Sequence, residues 1–101
     1  MKQHFIYCGL MANNGLSTDE TRQLVNDLAM KHFPNGHTIH EATGRWAGVM
    51  VQCNEPTMIV EVWEMNGFGI PPLAKFVGDY KNGAAQESVV LISRDCEAVV
   101  F

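Results

Sequence analysis

The apolar positions fall into runs whose period switches between that of a strand and that of a helix. Phe5-Ile6-Tyr7-Cys8-Gly9-Leu10 is rich in aromatic and β-branched residues and predicts a first strand. Asn13-Asn14-Gly15 marks a turn. Ser17-Thr18-Asp19-Glu20 then has the form of a capping box, and Leu24, Val25, Leu28 and Ala29 give the following helix one apolar face. Pro34-Asn35-Gly36 stops it. Thr38 to Trp46 predicts a second strand, bent at Gly44 or half exposed, and Ala47 to Asn54 either extends it or forms a turn. Met58 to Glu64 alternates clearly and predicts the hairpin partner.

Met65-Asn66-Gly67-Phe68-Gly69 predicts a flexible connection. Pro71 and Pro72 suit the first turn of a second helix, with Leu73, Phe76, Val77 and Tyr80 as its core stripe and Lys81-Asn82-Gly83 as its end. Val89-Val90-Leu91-Ile92 is apolar at successive positions, as expected of a central strand over Ser88 to Ser93. Arg94-Asp95 turns the chain, and Glu97 to Phe101 predicts a last strand. The order β-α-β-β-α-β-β is the ferredoxin-like α+β pattern with an added C-terminal strand. Two helices should share one face of an antiparallel sheet. The other face is then open to solvent or to a second subunit, and a homodimer is expected.

The chain has 101 residues, which suits a single domain over 1–101. At 47% hydrophobic and 18% charged it is too apolar to be disordered. A net charge of −4 opposes binding to double-stranded nucleic acid, which needs many Lys and Arg on phosphates. Cys8, Cys53 and Cys96 are odd in number and widely spaced, which predicts reduced thiols and a cytoplasmic protein. The start predicts no leader segment. No run approaches the about 18 apolar residues of a membrane span.

No catalytic set stands out. His37 and His40 would point to opposite faces of a strand, His4 and His32 are isolated in sequence, and no cluster has metal-ligand spacing. Cys8 lies in a strand and predicts a buried thiol. Ser17 and Ser88 lack a nucleophile-elbow context. Glu61 and Glu64 fall on opposite strand faces, which opposes an acid–base pair. Gly67-Phe68-Gly69 precedes a helix, but Pro71 and Pro72 remove N–H groups that a phosphate would need. The Gly44-Arg45-Trp46 corner is the best candidate for recognition: Arg45 can fork onto a phosphate and Trp46 can stack on a base. The alternative is a core Trp46 beside a solvated Arg45. Gln86 and Glu87 can cap the preceding helix or read a polar ligand, and Asn82 and Arg94 offer further polar contacts. Arg45 and Arg94 would hold two phosphates if the fold brought them together.

The string Phe33-Pro34-x-Gly36-x-Thr38-Ile39-x-Glu41-Ala42-x-Gly44-x-Trp46-x-Gly48, then Glu55-Pro56-x-x-Ile59-Val60-Glu61-Val62 and Gln86-Glu87-Ser88-Val89, resembles the phage anti-Thoeris proteins of the first described type. Tyr7-x-Gly9-Leu10 is similar as well. A bacterial domain family of unknown function shares much of this pattern. The resemblance implies an oligomeric non-enzyme in the host bacterial cytosol, without cofactor. It would bind a small cyclic nucleotide signal of the glycocyclic ADP-ribose class, or a cyclic oligonucleotide, at a subunit interface and return it intact. It carries over to Arg45, Trp46 and Gln86. A small enzyme on a nucleotide-like substrate and a structural homo-oligomer are the alternatives.

Overall fold

A computed structural model of the chain describes residues 1–47, 52–64 and 70–97. The elements are β1 (Lys2–Gly9), α1 (Thr18–His32), β2 (Thr38–Ala47), β3 (Gln52–Glu64), α2 (Ile70–Ala84) and β4 (Val90–Asp95). The strands form one antiparallel sheet in the order β2-β3-β1-β4. This is the ferredoxin-like arrangement with both helices on one face, as the periodicity predicts. The predicted strand beyond Glu97 lies outside the described residues.

Alternation along each strand divides the sheet into two surfaces. Ile6 and Cys8 of β1 and Met58, Val60 and Val62 of β3 point to the helices and are buried. They meet Val25, Leu28 and Ala29 of α1 and Leu73, Phe76, Tyr80 and Ala84 of α2. Phe33 and Phe76 stack at 5.5 Å, and His32 approaches the Phe76 ring edge-on at 6.3 Å. His32 also hydrogen-bonds Asp79 at 2.8 Å, tying α1 to α2. The Cys8 thiol is buried in this core, and burial pushes it up to about 12. The opposite surface carries Phe5, Tyr7, Trp63, Val90 and Ile92, partly or largely exposed.

The α1 N-terminus forms the predicted capping box in full. Ser17 Oγ accepts from the Glu20 N–H at 3.1 Å, and Glu20 accepts from the Ser17 N–H at 3.0 Å. α2 does not stop at Lys81-Asn82-Gly83 but continues to Ala84. Gly83 is there for packing: a Cβ on it would lie 2.8 Å from Leu24 of α1. The helix ends one residue later in a Schellman-type cap. Ala85 takes the left-handed conformation (φ 51°), and the Gln86 N–H donates to the Lys81 carbonyl at 3.0 Å.

Three further expectations are corrected. β3 begins at Gln52, so Pro56 lies within a strand. The Pro56 carbonyl accepts from Leu10 N at 2.8 Å, so its missing N–H faces the same side, where β1 has already ended at Gly9. β4 is an edge strand and not a central one, because β1 and β3 occupy the centre. Its apolar run is exposed on both faces: Val90 59%, Leu91 42% and Ile92 46%. Arg94 and Asp95 continue β4 and do not turn the chain.

Candidate functional site

The richest convergence of polar groups lies at the end of the sheet where β1 stops. The chain after Gly9 is held from three sides. Leu10 N donates to the Pro56 carbonyl, and the Met11 N–H lies 3.3 Å from Glu55 Oε1. The Tyr80 hydroxyl of α2 donates to the Gly9 carbonyl. The phenol is pushed up by burial first, then by Cys8 and Glu55. It therefore stays protonated and acts as a fixed donor.

Side-chain amides sew the same segment to the end of α2. Asn13 Nδ2 donates to the Ala85 carbonyl at 3.1 Å, Asn14 Nδ2 to the Gly83 carbonyl at 2.8 Å, and Gln86 Nε2 to the Met11 carbonyl at 2.9 Å. The Asn13 N–H donates to the Ala84 carbonyl at 3.1 Å. The bonds to Gly83, Ala84 and Ala85 satisfy carbonyls that a helix end leaves unpaired. They also fix the wall of a cavity of about 440 Å³, lined by Met11, Asn13, Glu55, Ala85, Gln86 and Glu87. That volume lies within the range of small-molecule sites.

The charge in this cavity is one-sided. Glu55 and Glu87 supply two carboxylates, and its described lining contains no Lys or Arg. Such a site attracts a cation and repels a pyrophosphate. Asn13 and Gln86 add amide groups able to read a neutral polar ligand.

The predicted site residues do not assemble into one site. Gln86 lines the cavity. Asn82 is exposed on the last turn of α2 and is not among the cavity's described lining. Arg45 pairs with Asn54 while Gly44 pairs with Glu55, so Arg45 and Glu55 alternate to opposite faces of the hairpin. Trp46 pairs with Cys53 in the backbone register, and its side chain lies outside the described residues. Arg94 is in register with Gln3, and Gln3 with Trp63. Arg94 and Arg45 are therefore separated by residues 54 to 63 of β3, a span of about 30 Å. They cannot grip one ligand within a single chain.

Arg94 instead belongs to a polar network on the helix-free face. Its Nε donates to Gln3 Oε1 at 2.8 Å, and its guanidinium lies 5.4 Å from the Phe5 ring centre. Gln3 Nε2 donates onward to Glu61 at 2.9 Å. Glu61 also accepts from the Trp63 indole and meets His40 Nε2 at 2.8 Å. The Trp63 bond, then the His40 bond, hold this carboxyl below the usual carboxylate range. His37 bonds the Phe33 carbonyl at 3.0 Å, so the two histidines serve different partners. The segment containing Gly67-Phe68-Gly69 lies outside the described residues.

No family model matches the chain, and no curated protein matches its sequence. Solved structures do share its fold. Phage SAM lyase in the apo state superposes with a TM-score of 0.62 at 13% identity, over 92% of this chain and 78% of that one. Phage SAM lyase in complex with S-methyl-5′-thioadenosine superposes with a TM-score of 0.61 at 12% identity, over 93% of this chain and 80% of that one. At such identity the likeness shows the fold. It also corrects the expectation of a non-enzyme, because both matched proteins are lyases. The resemblance implied sequestration, and the lack of a catalytic motif in the sequence was its supporting ground. In a fold that hosts an enzyme, that ground fails.

Sequence reasoning missed the cavity because its parts are far apart in the chain. Glu55 entered only as a member of a resembling string, and Glu87 there and beside Gln86 as a helix cap or a reader of a polar ligand. Their meeting depends on the β1–β3 register and on α2 running past Gly83. The nearest sequence signal was Gly9: a Cβ there would lie 1.9 Å from Glu55 Oε1.

Proposed function

We propose that this protein is a small enzyme that acts on a cationic nucleoside substrate, with S-adenosylmethionine as the leading candidate. The observation that carries the reading is the meeting of Glu55 and Glu87 in one cavity without a described basic residue. The fold shared with phage SAM lyase supports it. The resemblance to cyclic ADP-ribose sponges favours a pyrophosphate ligand, and the acidic lining opposes that ligand electrostatically.

S-adenosylmethionine carries a positive sulfonium and an ammonium group. Two carboxylates draw such a cation into the cavity. The substrate's own carboxylate can attack the carbon bound to sulfur: a carbon–oxygen bond forms as the carbon–sulfur bond breaks, the electron pair stays on sulfur, and the products are the neutral thioether S-methyl-5′-thioadenosine and the lactone of the four-carbon amino acid. The product has lost the charge that the site recognises, which favours its release. Asn13 and Gln86 are the groups placed to read the polar edge of the nucleoside. Tyr80 and the three amide clamps hold the segment after Gly9 in position, so the carboxylates are pre-aligned.

The test is direct. The protein is incubated with S-adenosylmethionine and, separately, with glycocyclic ADP-ribose isomers, and the small molecules are chromatographed after denaturation. The expected result is S-methyl-5′-thioadenosine from the first incubation, at least tenfold less of it with Glu55→Gln or Glu87→Gln, and no retained ADP-ribose ligand. Recovery of S-adenosylmethionine unchanged would overturn the reading. Retention of an intact cyclic ADP-ribose isomer would replace it with a different ligand class.

A further inference from the structure

A second cavity of about 420 Å³ lies at the opposite end of the sheet, under α2. Its walls are largely aliphatic, from Leu73 and Val77 of α2 and Leu91 of β4. At its edge three side chains form a hydrogen-bonded chain. His4 Nδ1 lies 2.6 Å from Ser93 Oγ, and His4 Nε2 lies 2.9 Å from Glu64 Oε2. Ser93 is exposed, His4 is 5% exposed, and the Glu64 side chain is 17% exposed. The three are brought together by strand pairing alone: Ser93 is directly opposite His4 on β4, and Glu64 lies diagonally from it on β3. In the chain they are 89 and 60 residues from His4.

We propose that Ser93, His4 and Glu64 form a nucleophilic serine site that cleaves carboxylic esters with a small apolar acyl group. The reading is independent of the proposed action on S-adenosylmethionine. An ionised Glu64 can only accept, so it takes the His4 Nε2–H and leaves Nδ1 as the acceptor for the Ser93 hydroxyl. That is the tautomer a general base needs. The order serine–imidazole–carboxylate is the arrangement that activates a serine, with the two ring nitrogens exchanging their usual roles. The aliphatic walls select the acyl chain, and the exposed Ser93 admits the alcohol side from solvent. Lys2 lines the same cavity and supplies a cation for the developing oxyanion.

The step balances without a cofactor. Ser93 Oγ attacks the ester carbonyl as its proton passes to His4 Nδ1. Collapse of the tetrahedral intermediate breaks the carbon–oxygen bond, and the alkoxide leaves with the proton from His4. Water then gives a proton to His4 and its hydroxyl to the acyl carbon. Free acid is released, and Ser93 regains its hydrogen. The net reaction is ester plus water to acid plus alcohol.

The probe is a fluorophosphonate, which forms a stable adduct only with an activated serine. The full chain is treated at pH 8, and the modified peptide is mapped by mass spectrometry. The expected result is one adduct per chain, on Ser93, and hydrolysis of p-nitrophenyl butyrate at least tenfold faster than by Ser93→Ala. Glu64→Gln should slow labelling at least tenfold while circular dichroism stays unchanged. An unmodified wild-type chain, or an adduct on any other residue, overturns the proposal. This mapping needs no variant, so it stands even if a substitution unfolds the protein.

Discussion

Glu55 occupies the space that a side chain on Gly9 would need. A Cβ at Gly9 would lie 1.9 Å from Glu55 Oε1 and 2.7 Å from its carboxyl carbon. The strand that ends at Gly9 and the carboxylate of the cavity are thus mutually exclusive beyond glycine. Because the displaced group is the end of a flexible side chain, Gly9→Ala should fold. We expect formation of S-methyl-5′-thioadenosine to fall at least tenfold while the unfolding free energy changes by no more than about 1 kcal/mol. Product chromatography and urea titration of the same sample check both halves. Unchanged turnover would show that the position of Glu55 does not matter.

Ala85 holds a left-handed backbone conformation at the end of α2. A Cβ in that region costs roughly 1–2 kcal/mol, partly offset by the greater freedom that glycine has in the unfolded chain. Ala85→Gly should therefore stabilise the protein by about 0.5–1 kcal/mol. The urea midpoint should rise. A lowered midpoint would mean that the Ala85 methyl contributes more through the cavity wall than its conformation costs.

Glu61 sets part of the acid sensitivity. Its folded carboxyl titrates below the ordinary 4.5, owing first to the Trp63 indole and then to His40. The folded state therefore binds fewer protons than the unfolded chain between the two values. The contribution is fully present above 4.5 and disappears as pH falls through the lower folded value. Glu61→Gln should narrow the difference in urea midpoint between pH 7 and pH 3. An equal difference in both proteins would remove Glu61 from the account.

Phe76 is fully buried and contacts the rings of Phe33 and His32. Phe76→Ala should cost about 3–5 kcal/mol, the range for removing a buried aromatic ring. Chemical denaturation measures it. A loss below about 1 kcal/mol would mean that α1 and α2 close over the gap.

Much of the fold was legible because it rests on local pattern. Ser17 and Glu20 announced the start of α1, and the stripe Leu73, Phe76, Tyr80 announced the buried face of α2. The errors have physical causes. Asn82-Gly83 looks like a helix stop, but Gly83 serves the close approach of Leu24, which no local signal reveals. Val90-Leu91-Ile92 reads as a central strand, yet strand order is set by which partners β1 and β3 take. The site was the least legible part. Glu55 and Glu87 meet through a crossover, and Ser93, His4 and Glu64 meet through register, so none forms a motif.

The central position of β1 also orders events during synthesis. Lys2–Gly9 leaves the ribosome before either of its partners, and Gln52–Glu64 and Val90–Asp95 come much later. Until then both its edges lack their native partners. Closing such distant pairs makes folding slow compared with forming α1. Among the described strands, β1 precedes both its partners and gains its second edge only when β4 arrives. A ribosome that stalls before β4 would hold a chain with a bare strand edge, the kind of surface that chaperones and aggregation compete for.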